Sequence, residues 1–236
     1  MVDVEGTGGG GRIFTVVHLA AAVAENESVV QLVCCQMKDE VLATQSDKGQ
    51  TALQVALGLS QGGSGAALYL ARRSSGLEYL KPDERQALLK FAVVQGSVRI
   101  VAQAKPWKSE VQAIEVELVQ LGVRAGQSEA LGLLLETLGQ PSLGDAKYNE
   151  GLPNQMSLLH VAAERGYFGC IALLCKYGAH VNGVESAGRT PLYLSARLGH
   201  ISTVQELCKN GVNINQAEKN GISLLVATGI LWRCFL

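Results

Sequence analysis

Apolar residues dominate residues 158–163, where Leu158, Leu159, Val161, Ala162 and Ala163 surround His160, and Glu164-Arg165-Gly166 then ends the run. A second apolar stretch, Cys170 to Leu174, closes at Tyr177-Gly178. The pattern returns 33 residues later as Pro191-Leu192-Tyr193-Leu194-Ser195-Ala196, then Arg197-Leu198-Gly199, then a stretch closing at Asn210-Gly211. Gly221-Ile222-Ser223-Leu224-Leu225 opens a third copy at the same offset. Runs of this length with three-to-four-residue apolar spacing predict helices, and paired helices at a fixed period predict a stacked solenoid. Such an array works by presenting a surface.

Weaker versions of the pattern precede these copies. His18 to Val23 predicts a short inner helix, and Ser28 to Met37 an outer one with Val29, Val30, Leu32 and Val33 inward. Thr51-Ala52-Leu53-Gln54-Val55-Ala56 starts the next unit, Gly58 to Gly65 is a Gly-rich loop, and Ala66 to Arg73 is its outer helix. Pro82-Asp83-Glu84 suits a helix start, because proline fits the first turn and acids favour the positive end of the helix dipole. Glu110 to Leu121 and Ser128 to Leu138 also have helical spacing. Pro106-Trp107 interrupts the chain before them, and no repeat start is legible from Lys105 to Gly151.

The clean copies resemble ankyrin repeats: a Ser/Thr start, Pro or Leu, His160, paired Ala, a Gly, and then Gly178-Ala179-His180-Val181-Asn182. The resemblance is good over 152–224 and degraded over 13–104. It implies an all-α helical solenoid of about six helix pairs with short hairpin loops and an irregular middle unit. We divide the chain into a flexible Gly-rich tail (1–12), degenerate repeats (13–104), an irregular helical unit (105–151) and clean repeats (152–236), the last incomplete. The apolar end Ile230 to Leu236 suggests a shortened form of a longer protein. The resemblance also implies that His18 and His160 bond neighbouring backbone. Gln54, Tyr193 and Val226 at the equivalent places predict an interrupted ladder.

Composition narrows the function. Charged residues are 17% and the net charge is −1, which excludes a broad phosphate-tracking face, and no nucleic-acid partner is expected. No apolar run approaches the roughly 18–20 residues that span a bilayer. The six cysteines, with Cys34 and Cys35 adjacent, form no disulfide framework. A reducing compartment follows, cytoplasmic with the nucleus as the alternative. Gly6-Thr7-Gly8-Gly9-Gly10-Gly11 fits a dinucleotide pattern only formally, because Val2-Asp3-Val4 is too short for the required strand. His160, Cys170, Cys175 and His180 have the spacing of no compact zinc site and read as core. We therefore expect no metal, no cofactor and no catalysis.

Function is expected on the surface, as binding to another protein. By the ankyrin pattern, the hairpin tips and exposed inner-helix face hold Asn154, Met156, Glu164, Arg165, Ser186, Ala187, Arg189, Arg197, Leu198, Lys219, Asn220 and Ile222. Their arginines and Lys219 favour an acidic segment as partner. The alternative is a recognition arm of a longer enzyme or channel. The resemblance further implies asparagine hydroxylation at Asn182 and Asn215.

Overall fold

The computed structural model describes residues 45–214 except 47–48, 60–64, 74–76, 78–79, 140 and 145. The Gly-rich tail, His18, Cys34, Cys35, the last repeat start with Lys219, Asn220 and Ile222, Asn215, and the apolar end with Cys234 lie outside these residues. The chain divides into two compact units, 1–91 and 92–236.

In the first unit, α1 (Ala52–Leu59) packs against α2 (Gly65–Arg73). Small side chains let them approach: Ala52, Leu53 and Ala56 on α1, and Ala66, Ala67, Leu70 and Ala71 on α2, are all buried. Thr51 starts α1 with a reciprocal cap, its hydroxyl accepting from Gln54 N (3.3 Å) while Gln54 Oε1 accepts from Thr51 N (3.0 Å). Helix α3 (Pro82–Val94) begins with proline and two acids, as its sequence implies, and Glu84 accepts from Lys81 N at 2.9 Å. The last three residues of α3 fall in the second unit.

The second unit is two layers of helices. After α4 (Val98–Gln103), Pro106 sits in a 3-10 turn (Lys105–Trp107) and short α5 (Lys108–Ala113) follows. Three helix pairs then follow: α6 (Glu115–Ala125) with α7 (Ser128–Thr137), α8 (Leu158–Arg165) with α9 (Phe168–Lys176), and α10 (Pro191–Arg197) with α11 (Ile201–Lys209). Helices α6, α8 and α10 stack as the inner layer, and α4, α7, α9 and α11 as the outer. Leu159, Ala162, Leu174, Leu192, Ala196 and Leu207, expected in the interior, are at most 1% exposed. Among the described residues there is no strand, only an isolated bridge between Gln45 and Thr51. The described residues of the second unit form an all-α repeat solenoid.

One turn recurs through this unit. Gly96, Gly126, Gly166 and Gly199 all adopt positive φ, between 67° and 76°. Each accepts a bond from the residue two further on, and the residue after each glycine donates back into the preceding helix. The sign of φ favours glycine, and at Gly96, Gly126 and Gly166 the next pair enforces it. A Cβ at Gly126 would lie 2.8 Å from the ring of Tyr167, and one at Gly166 would lie 2.7 Å from Nδ1 of His200.

The stretch 105–151 is therefore not irregular throughout. Its centre is the ordinary pair α6/α7, with Gly126 in the shared turn. The departures sit at its two ends: the 105–113 lead-in, and a long connection after Gly139 that holds 3-10 turns at Ala146–Asn149 and Pro153–Gln155. The longer connection places Gly166 forty residues after Gly126, where Gly199 follows Gly166 by 33.

Candidate partner-binding surface

The polar groups of the interior are consumed by the stack itself. Ser157 caps α8 through a capping box with His160, whose Nδ1 takes the Ser157 N–H at 3.0 Å. His160 Nε2 then donates to the Arg189 carbonyl at 3.0 Å, one repeat on. Burial holds the His160 pKa below its ordinary value, against the opposing pull of the Arg189 carbonyl and the Glu185 charge. The ring is thus neutral at physiological pH, with its hydrogen on Nε2.

The expected interruption of this ladder does not occur at Gln54. Its Oε1 serves the Thr51 cap and its Nε2 donates to the Glu84 carboxylate at 3.1 Å. Gln120, in the corresponding place on α6, donates to the carbonyls of Tyr148 (3.1 Å) and Glu150 (2.8 Å). A glutamine carries an acceptor and a donor at the end of a side chain that reaches as far as the imidazole, so Gln54 both caps its helix and bonds onward, while Gln120 supplies the onward bonds.

The hairpin between α9 and α10 is organised by Glu185, which is 2% exposed. Its carboxylate accepts from Ala187 N (3.1 Å), Arg189 N (3.2 Å), Ser186 Oγ (3.2 Å) and Arg189 Nε (2.7 Å). Burial alone would raise its pKa, but the bonds from Arg189 and Ala187 and the Arg189 charge outweigh it and bring it down to about 2. Adjacent hairpins are tied by Ser186 N to the Asn154 carbonyl (2.9 Å) and by Asn213 N to Asn182 Oδ1 (2.7 Å).

Against this frame the expected contact residues separate. Asn154, Ser186 and Ala187 are exposed at the hairpin end of the inner helices. Glu164, Arg165, Arg197 and Leu198 are exposed at the other end, beside the turn glycines. An eight-residue helix such as α8 keeps these ends about 12 Å apart. Two assignments are corrected. Met156 is 5% exposed and belongs to the interior, since the turn of Pro153–Gln155 puts Leu152 and Met156 inside and its own three residues outside. Arg189 is half-buried and bound to Glu185, so it is a strut of the hairpin instead of a free cation.

Sequence reasoning passed over Phe168, Ile201 and Arg124. Phe168 is 57% and Ile201 49% exposed, and Arg124 is exposed near the end of α6. The available signal was positional, because Phe168 and Ile201 are the same place in successive repeats, two residues after the turn glycine.

An open cleft of about 380 Å³ lies where the two departures from the repeat meet, lined by Gln112, Glu115, Glu117, Gln120, Lys147 and Glu150. Glu115 is bonded by Lys147 Nζ (3.2 Å) and by the Tyr148 hydroxyl, and Gln120 is engaged in the ladder. These groups are committed to holding the long connection. Burial pushes the thiols of Cys170 and Cys175 up to about 11, Glu206 adding to the effect at Cys175, so neither is a ready thiolate.

The recurrent glycine turn, the capped inner helices and the His/Gln ladder have a counterpart among known proteins. Residues 119–218 match the family model for ankyrin repeats in three copies. Residues 119–218 carry ankyrin repeats. The match begins inside α6, so the pair α6/α7, unreadable as a repeat from its sequence, is one of them. Ankyrin repeats are typically non-catalytic interaction modules. Fifty residues, 21% of the chain, are 42% identical to an ADP-ribosylation factor GTPase-activating protein, AGD1, of Arabidopsis thaliana. The match spans 6% of that protein's length. Among the described residues no helix is long and apolar enough to cross a membrane.

Proposed function

We propose that this ankyrin-repeat chain is a non-catalytic adaptor that binds another protein through side chains projecting from its repeats. The observation that carries the reading is the division of labour among polar groups. His160 and Gln120 are spent on joining successive pairs and Glu185 and Arg189 on holding a hairpin, whereas the side chains of Glu164, Arg165, Ser186, Ala187, Arg197 and Leu198 are exposed at the surface. The arginines favour a partner with an acidic segment. A net charge of −1 speaks against nucleic acid, and a cytoplasmic or nuclear setting fits reduced cysteines.

The test is affinity capture by the full chain, comparing the wild type with Arg165→Glu/Arg197→Glu and with Ser186→Glu/Ala187→Glu. A partner that is retained by the wild type and lost with one of these variants, at unchanged helical circular dichroism, supports the reading. Equal capture by all three would place the contact outside the repeat surface.

The likeness to a GTPase-activating protein favours a second reading, in which these repeats are the recognition arm of a longer enzyme. Immunoblots of native extracts with an antibody against 152–214 separate the two. A band much larger than the 236-residue chain supports the recognition arm, and a single band at the chain's own mass supports the adaptor.

A further inference from the structure

We propose that the turn rim of the last helix pairs, opposite the hairpins, is a docking surface for an extended acidic peptide segment carrying apolar anchors. This rests on the protein-binding reading above and moves the contact to a defined edge with a defined partner chemistry.

Four large apolar side chains are prominently exposed among the described residues, and three of them lie on this rim: Phe168 (57%), Leu198 (45%) and Ile201 (49%), with only Val184 elsewhere. Exposed apolar groups gathered at one edge mark an interaction site where scattered ones would not. Phe168 and Ile201 each open an outer helix directly after the glycine turn, their N–H groups bonded to the carbonyls of Gly166 and Gly199. They are therefore in register on α9 and α11, which pack side by side. Packed helix axes lie about 8–10 Å apart. An extended polyproline-II chain advances about 3.1 Å per residue and turns once every three, so two anchors three residues apart would face the rim together and match the pair.

The rim is already rigid. Tyr167 covers Gly126 and His200 covers Gly166. His200 Nε2 donates to the Glu164 carbonyl at 3.0 Å, and Arg165 Nη1 donates to the Arg124 carbonyl at 3.0 Å. A surface held this way loses little entropy on binding.

Charge selects the occupant. Arg124, Arg165 and Arg197 are exposed along this edge, one per pair, against Glu129 and Glu164. At the two pairs that bear the anchors, Arg165 and Arg197 outnumber Glu164. Arginine beside aromatic and aliphatic groups is the composition of interface cores, and its guanidinium pairs with carboxylates in bidentate geometry. An acidic segment is favoured over a basic one.

The probe is a fluorescein-labelled dodecapeptide in which Leu and Phe anchors stand three residues apart with Glu and Asp between them, titrated into the full chain by fluorescence anisotropy. We expect saturable binding that weakens as salt is raised. Arg165→Glu/Arg197→Glu and, separately, Phe168→Ser/Ile201→Ser should each weaken it at least tenfold, while Val184→Ser on the hairpin leaves it unchanged. Far-UV circular dichroism and urea midpoints establish that all variants fold. Loss of binding in Val184→Ser with retention in both rim variants overturns the rim while leaving protein binding by the repeats intact. Failure of the wild type to bind, equal binding of a peptide with Lys in place of every acid, or preference for phosphatidylserine vesicles over the peptide also overturns it.

Discussion

Replacing Glu185 by Gln removes one charge from a carboxylate that organises a whole hairpin. Oε1 takes Arg189 N and Arg189 Nε, and Oε2 takes Ala187 N and Ser186 Oγ. A glutamine can keep the two bonds at Oε1. Its amide nitrogen cannot accept, so the Ala187 N–H loses its partner while the Ser186 hydroxyl rotates to accept instead. A lost acceptor for a poorly solvated N–H costs about 1–3 kcal/mol, and loss of the charge assistance to Arg189 adds about 1. We expect Glu185→Gln to cost about 2–4 kcal/mol at pH 7, read as a shift in urea unfolding followed by circular dichroism. The cost should depend on pH with a defined sign. The folded pKa, about 2, lies below the ordinary 4.5, so the carboxylate's contribution is complete above about pH 4.5 and fades as pH falls toward 2. The gap between wild type and variant should therefore narrow steadily below pH 4.5. A cost under about 0.5 kcal/mol at pH 7, or a gap of constant size down to pH 2.5, would refute the assignment.

Other outcomes follow from the same geometry. Leu192→Ala, at a side chain 1% exposed between stacked inner helices, should cost about 2–5 kcal/mol in the same urea assay. His160→Gln should preserve the ladder, as Gln120 and Gln54 do. It should cost within about 1.5 kcal/mol and flatten the fall in stability as pH drops below the ordinary histidine value of 6.5, since the lowered His160 pKa makes its protonation destabilising. Amide exchange should be fast in 105–114 and 141–151 and slow in 118–123, where Leu118, Val119 and Val123 are fully buried. We also propose that Asn182 gains one oxygen in its native cell, and peptide mass spectrometry finding it unmodified there would remove that reading.

The clean repeats were legible because their signals coincide. The capping Ser157 and Thr190, the small Ala163 and Ala196, and the glycines at 166 and 199 each have a local reason, and all recur at one offset. The pair around Gly126 was hidden because the connection after Gly139 is longer, which breaks the offset, and because Gln120 stands where the eye seeks histidine. Arg189 was misplaced for another reason. Its partner Glu185 precedes it by four residues in a loop, and only the folded hairpin turns that separation into an ion pair of 2.7 Å. Met156 is a similar case, because no periodicity fixes which side of a 3-10 turn faces inward. The exposed pair Phe168 and Ile201 was legible in principle, since both follow a turn glycine at the same place. It was missed because contact residues were sought only on the hairpin tips and the inner-helix face, and both residues open outer helices.

The most direct measurement is a hydrogen-exchange difference map of the full chain with and without a partner recovered by affinity capture. Protection gained at 164–168 and 197–202, with or without the hairpin tip at 186–187, is expected, while 112–120 and 146–150 exchange as before. Protection confined to the cleft lined by Glu115, Gln120 and Lys147, with the repeat edges unaffected, would contradict a protein-binding role for the repeat surface.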